Sequence, residues 1–433
     1  WLQLHLGSEA FESLHYWGLR LAVPALLVAA CVMVLRGINI NQFSLHAMYR
    51  DRLIRAFLGA TRSAKQPGGA RFDGVPMQAF ARFEYGAEYR DRWLRQGRRR
   101  AANPHTGFDD ADNPDLFWLG LYRTQPLWVV NMALNVVDNR NHLSWQERKA
   151  ASFTASPLHC GAWLTGYRRT WTYGGREGGI STGTAIAVSG AAANPNMGYH
   201  SSPAMTFLLT FFNARLGWWL GNPGGRDRSA DVHRSRSPRN GLFQLLKELF
   251  GKTDDRSDWI HLSDGGHFEN LGLYEMCIRR CRYIVVCDAS ADPKREFEDL
   301  GNAIRKIRID LDVHIEPEAG LRPIGPRTAA KPAGHALFKI RYPGGLEGTL
   351  LYLKPSVYDG DIELPRDVAQ YACSSGAFPH ESTVDQFFSE SQFESYRALG
   401  AYQLVCQALR NPPEKDWTLR AAFDLARRNA AAS

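Results

Sequence analysis

The sequence predicts an α/β domain, a mainly parallel sheet flanked by helices, preceded by a transmembrane helix. Three observations carry that expectation. Between Trp259 and Ile315 short apolar runs alternate with amphipathic stretches in the order β-α-β-α-β. Leu21–Leu35 is wholly apolar between Arg20 and Arg36. The chain has 433 residues, 44% hydrophobic and 22% charged, enough for one large core with appendages.

The apolar run is shorter than the roughly 20 residues that cross a bilayer, and Pro24 interrupts it. Adding Tyr16–Leu19 and Gly37–Ile40 makes a span feasible, with Tyr16 and Trp17 at the interface and both arginines snorkelling. A buried core helix is the alternative reading. Arg50, Arg52, Arg55 and Arg62 follow the run, so the positive-inside rule puts the globular part on the cytoplasmic side. The expected organisation is a membrane segment with its flanks over 1–40 and a basic coupling region over 41–114. A globular α/β part over 115–410 and a tail over 411–433 complete it.

Within the globular part, Leu127–Asn131 reads as a buried strand and Phe153–Gly161 as a short element ending in a turn. Ile180–Ala193 is small and helix-compatible, Met205–Leu220 is core-like, and Asn222–Asn240 is an exposed basic loop. Trp259–Leu262 is a strand, Ser263–Gly266 a tight turn, and Phe268–Arg280 a helix. Tyr283–Cys287 is a continuous apolar strand of the parallel, doubly covered kind. A second helix over Phe297–Leu311 and a strand at Val313–Ile315 close the run, which would put Asp264 and Asp288 at one sheet edge. Ala336–Leu353 reads as a hairpin around Pro343-Gly344-Gly345, and Asp385–Leu409 as a terminal helix or pair of helices.

A net charge of +8 suits contact with anionic surfaces, either phospholipid or nucleic acid. The basic residues Arg98–Arg100 and the Asn222–Asn240 loop lack zinc-finger spacing and an RNP-like aromatic strand, so nucleic acid is not the expected partner. Seven scattered cysteines form no disulfide framework and point to a reducing compartment. Cys277, Cys281 and Cys287 read as buried small hydrophobes rather than metal ligands. No cofactor or metal is expected, and nothing in the sequence speaks to oligomeric state. Beginning at Trp1, with no initiator methionine and no charged stretch before the apolar run, the chain reads as a fragment or processed product.

Asp264 is the first candidate for chemistry. It follows a strand, and Gly265 and Gly266 let the backbone turn sharply beside an uncovered carboxylate. Such a group can deprotonate a serine hydroxyl. It can equally be a helix cap with no function, and the local sequence leaves both readings open. Gly179-Ile180-Ser181-Thr182-Gly183 matches Gly-x-Ser-x-Gly literally, but no buried strand runs into its first glycine as a nucleophile elbow requires. Ser189, Asp264 and His380 have the chain order of an α/β-hydrolase triad, although His380 has no supporting context. His267 is assigned no role.

The blocks Ile180–Gly198 and Leu262–Gly272 resemble the patatin-like phospholipase family, above all its large bacterial membrane-anchored members. The likeness is densest over Ile180–Asp310 and extends to Asn39–Arg55, Gln125–Asn135 and Phe378–Gly400. The resemblance implies a patatin-like α/β fold and hydrolysis of acyl esters in membrane phospholipid or another lipid ester by a Ser–Asp dyad. The family's aspartate falls on Asp264, its following glycines on Gly265 and Gly266, and its small-residue site lining on Ser189 and Gly190. The nucleophilic serine of the family stands in an N-terminal Gly-x-Ser-x-Gly that this chain lacks, so it is expected upstream of Trp1. A complete hydrolase using Ser181 and an inactive membrane scaffold of the same fold are the alternatives.

Overall fold

A computed structural model describes residues 20–30, 33, 37, 39–42, 44–59, 109, 112–117, 119, 127–138, 147–175, 179–195, 206, 208–210, 215–224, 232–318, 334–357, 363–382, 389–412 and 418–432. The fold is mixed α/β and divides into two compact units, Trp1–Phe268 and Glu269–Ser433. Residues 20–30 are helical and exposed, while much of the expected span Tyr16–Ile40 lies outside the described residues. Among the described residues no helix is long and apolar enough to cross a membrane.

The first unit is organised on six strands. They are β1 (Val130–Asn135), β2 (Ala150–Ala155), β3 (His159–Ala162), β4 (Gly166–Arg169), β5 (Trp218–Gly221) and β6 (Trp259–Asp264), in the order β4-β3-β2-β1-β6-β5. Among the described residues, the helices α1 (Leu45–Leu53), continued by a π-helical turn over Ile54–Gly59, α2 (Thr182–Ser189) and α3 (Gly241–Leu249) accompany them. Every pairing in this sheet is antiparallel. The expectation of a mainly parallel sheet is therefore corrected. β2, β3 and β4 follow one another through connections of three residues each, 156–158 and 163–165, too short for the crossover that a parallel pair needs. β2 and β5 are buried along their whole length although antiparallel, so burial on both faces does not report strand direction. Leu134, Phe153, Leu220 and Leu262 sit in one core cluster with Ala185 and Val188 of α2.

The second unit holds α4 (Leu273–Ile278), β7 (Tyr283–Cys287), α5 (Glu298–Leu311), β8 (His314–Pro317), β9 (His335–Arg341) and β10 (Glu347–Leu353). The helices α6 (Arg366–Ser374), α7 (Glu390–Tyr402) and α8 (Leu419–Ala432) follow. Its sheet has the order β7-β10-β9-β8. The hairpin β9–β10 forms as expected, antiparallel from Arg341↔Glu347 to His335↔Leu353. β7 is parallel, but its partner is β10. A second correction follows: β6 and β7 belong to different sheets, so Asp264 and Asp288 do not share an edge. The connection read as one crossover helix is broken, because the Glu269 carboxylate accepts the backbone N–H groups of Leu271 at 2.6 Å and Tyr274 at 3.0 Å. Gly272 then takes a left-handed turn at φ 69° before α4 begins. Residues 418–432, expected as a tail, contribute α8, whose Phe423, Ala426 and Ala430 pack on Leu337 and Leu351.

Candidate active site

Strand alternation sorts the residues of β6. Ile260 and Leu262 face the apolar core, and Asp264 continues that face to the strand's last position. His261 and Ser263 face the other way, into a polar layer. Asp264 pairs with Met132 of β1, and its backbone N–H donates to Ala191 O at 3.4 Å. Its carboxylate accepts the N–H of Gly266 at 2.7 Å. That bond is the cap of a short 3₁₀ turn, Gly265–His267, so the structural role left open by the sequence is occupied.

The cap does not exhaust the carboxylate. Asp264 is half-buried, and burial pushes its acid up to about 6, against a smaller downward pull from the Gly266 N–H. A surface cap would be held low by such a bond. This carboxyl instead titrates in the range that suits a general base near neutrality.

Around it the chain brings together residues from four places. Ser189, at the end of α2, donates to Asn131 O of β1 at 2.7 Å. A Cβ on Gly265 would stand 3.0 Å from that same carbonyl oxygen, so the turn runs close along β1. A Cβ on Gly190 would stand 2.7 Å from the phenol oxygen of Tyr49 on α1. The Tyr49 phenol is itself raised to about 12 by burial and by the charge of Asp264. Thus Ser189, Gly190, Asp264 and Gly265 converge on β1 and the α2 C-terminus, and Tyr49 joins them. Gly266 is exposed at the rim.

Ser181 is elsewhere. It forms an isolated bridge with Asp115 and caps the N-terminus of α2, accepting from Thr184 N at 3.3 Å and donating to Thr184 Oγ1 at 2.9 Å. Asn113 donates to the same hydroxyl at 3.1 Å. At 1.5 Å per residue, the helix separates Ser181 from the Ser189 end by about 12 Å. His380 lies in the second unit, in a turn where its N–H donates to Ala377 O at 2.7 Å.

Behind β6 lies a polar network that the sequence did not reveal. Asn135 donates to Ser263 Oγ at 2.8 Å and stands 3.2 Å from His261 Nδ1. Ser263 Oγ is 2.8 Å from His267 Nδ1. Further in, Glu248 of α3 accepts from Arg215 at 2.7 Å and from the Trp219 indole N–H, with His261 Nε2 at 3.6 Å. Arg215 also donates to Ile40 O at 2.6 Å. His261 is held at about 4 by burial, which outweighs Glu248, and is neutral at pH 7. His46 of α1 is held at about 3 by burial and lies 2.6 Å from Leu216 O. Asn41 clamps β5, accepting from Trp219 N at 2.9 Å and donating to Trp219 O at 2.8 Å.

No protein-family model matches the chain, and neither does any curated protein sequence. Among solved structures, human GIVD cytosolic phospholipase A2 aligns with 88% of this chain at 14% identity and a TM-score of 0.42. The alignment covers 54% of that protein, so this chain spans about half its length. At that score the likeness carries no inference about activity, and the site stands on its own geometry.

Asp288, the second carboxylate of the sequence reading, is in the other unit and is engaged fully. Lys354 Nζ lies 3.1 Å from one oxygen, Ser290 Oγ donates to it at 2.6 Å, and the Tyr352 hydroxyl donates to the other at 2.5 Å. Burial pushes this carboxyl up, but the bonds from Ser290 and Tyr352 and the Lys354 charge together hold it below its ordinary value. Cys277 is buried and Cys281 half-buried, whereas Cys287 is exposed. Among the described residues no three metal-ligating side chains gather.

Proposed function

We propose that this chain supplies the general base of a membrane-associated, serine-dependent lipid acyl hydrolase, with Asp264 as that base. The observation that carries the reading is the carboxylate itself: strand-terminal, turned out by two glycines, and raised to about 6 by burial. Burial lifts the carboxyl above what its Gly266 bond alone would set, into the range where a base works near neutrality. Acyl transfer needs a base to take the serine proton and donors to hold the oxyanion. The resemblance to patatin-like phospholipases supplies the rest: a nucleophilic serine in a Gly-x-Ser-x-Gly N-terminal to Trp1. Ser189 and Gly190 then border the acyl group, with Gly265 and Gly266 on the other side. Membrane phospholipid or another lipid ester is the substrate class, and Tyr16–Ile40 is the anchor, with the globular part cytoplasmic.

The test is ester hydrolysis in two parts. Residues 1–433 alone are expected to give background rates on a short-chain nitrophenyl ester and on phosphatidylcholine micelles. The protein that includes the Gly-x-Ser-x-Gly segment is expected to hydrolyse one or both. In it, Asp264→Asn should cut turnover by about 10²-fold or more, since it keeps the turn and removes the base. Near-full turnover in Asp264→Asn would reduce the residue to a cap. For the anchor, the intact chain should resist carbonate extraction from membranes, and its extraction would refute the span.

A further inference from the structure

Helix α3 is inverted. Phe243, Leu246 and Phe250 follow one another at i, i+3 and i+7, which places them on one face. They are 56%, 40% and 67% exposed. The buried face carries Gln244 and Glu248 at 4% and 0%. An exposed leucine alone means little. A stripe of two phenylalanines and a leucine in water, over a buried face that is polar, needs an explanation.

The helix is held rigidly in that orientation. Glu248 is fixed by Arg215 and Trp219, and Lys247 donates to Ser257 at 2.5 Å and pairs with Asp254 at 3.5 Å. Burial of the apolar stripe by rotation would tear out the Glu248 carboxylate.

The N-terminal end carries the second observation. Asn240 caps the helix, and no acidic residue stands in its first turn. Arg236 and Arg239, just before the cap, are exposed and have no side-chain hydrogen bond or ion pair among the described residues. Arg239, next to the cap, adds positive charge at the positive end of the helix dipole and so does not serve the helix's own stability, while Arg236 lies four residues before the cap, its Nε 3.2 Å from where a Cβ on Gly175 would stand. Backbone N–H groups and guanidinium groups on one end suit phosphate. Of the acids that follow the helix in sequence, Asp254 pairs with Lys247 at 3.5 Å and Asp255 with Arg256 at 3.9 Å.

We propose that α3 is a bilayer-docking helix, whose Phe243, Leu246 and Phe250 enter the acyl region while Arg236 and Arg239 hold anionic headgroups. An apolar face beside cations is the composition that binds at a lipid interface. The choice of partner rests on the lipid-hydrolase reading; the helix geometry does not. Because Glu248 links the buried side of α3 to the layer behind β6, docking would orient the unit through a rigid connection.

Hydroxyl-radical footprinting of the full chain tests this, with Trp163, 83% exposed, as the reference side chain. The chain is placed in vesicles of phosphatidylcholine alone or of phosphatidylcholine with phosphatidylglycerol. Oxidation at Phe243, Leu246 and Phe250 relative to Trp163 is expected to fall severalfold in the anionic vesicles and far less in the neutral ones. Arg236→Gln with Arg239→Gln should abolish the difference between the two lipids. Phe243→Asn with Phe250→Asn, both at exposed positions, should keep the fold and restore oxidation at Leu246. Unchanged oxidation in anionic vesicles overturns the proposal, as does equal protection in both lipids. Protection that grows with protein concentration without vesicles would make the face a protein contact instead. The readout is the helix and not turnover, so its failure leaves the Asp264 chemistry standing.

Discussion

The backbone N–H of Asp264 meets the carbonyl oxygen of Ala191 at 3.4 Å, tying the end of β6 to the segment that follows α2. Through that contact the small-residue block and the glycine turn, remote in sequence, become one site. The contact also lays Asp264 against covered ground, which is why its acid rises.

That rise makes a pH prediction with a sign. The folded-state value of about 6 lies above the ordinary 3.8, so between them the native state binds more protons than the unfolded chain. Stability contributed by the protonated acid is fully present below 3.8 and is lost as pH rises through about 6. Asp264→Asn should therefore stabilise the protein at pH 8, on the order of 1 kcal/mol after solvent screening, and change little at pH 3. Urea midpoints at the two pH values check it. In an active enzyme the hydrolysis rate should fall as pH drops through about 6, because the base must be ionised.

Close packing at Gly190 gives a double-mutant test. Gly190→Ala puts a methyl 2.7 Å from the Tyr49 phenol oxygen, and the expected cost is about 1–3 kcal/mol. Tyr49→Phe removes that oxygen and should recover part of the loss. At Gly265 the obstruction is the Asn131 backbone carbonyl at 3.0 Å, so Gly265→Ala should not be rescued by any side-chain change at position 131. Denaturant melts of the four variants separate the two cases, and equal costs with and without Tyr49→Phe would sink the packing account.

What the sequence made legible, and what it did not, divides along the range of the interactions. The β6 strand, the β9–β10 hairpin and the α5 helix follow from alternation, a Pro-Gly-Gly turn and a 3.6-residue stripe, all local signals. Strand direction is not local: β6 pairs with β1 and β5, and β7 with β10, each across long stretches of chain. α8 escaped notice because its buried stripe leans on Ala426 and Ala430 beside Phe423, and alanine marks a face weakly. For the site, Asp264 stood out by its strand end and following glycines with its role left open, and Ser189 and Gly190 were named as site lining only through the family resemblance. Tyr49 and Asn131 did not stand out, since a tyrosine on an ordinary helix and an asparagine on a strand announce nothing until the fold joins them.

The Arg215–Glu248 pair should behave as a fully desolvated ion pair, being 1% and 0% exposed at 2.7 Å. Glu248→Leu leaves Arg215 charged and buried, an expected loss of about 3–5 kcal/mol. Combining it with Arg215→Met removes the orphan charge and should return much of that stability. His261, held neutral by burial, and the Trp219 N–H lose an acceptor in both variants, so recovery should be incomplete. A double variant as unstable as Glu248→Leu alone would show that the pair is not the source of the cost.

Ser181 provides the sharpest contrast with Asp264. Its hydroxyl is spent on the first turn of α2, between Thr184 and Asn113, and it lies at the opposite end of that helix from Ser189. Ser181→Ala should therefore cost about 0.5–2 kcal/mol as a lost N-cap and leave turnover of the active protein within about twofold. Ser181→Thr or Ser181→Asp, which retain a capping oxygen, should restore most of the stability. A nucleophile obeys the reverse pattern: alanine abolishes turnover and aspartate does not restore it. Measuring melts and turnover on the same three variants distinguishes the two roles without reference to where the true nucleophile sits. Loss of activity in Ser181→Ala with an unchanged melt would move the nucleophile onto α2 and overturn the placement argued from its geometry.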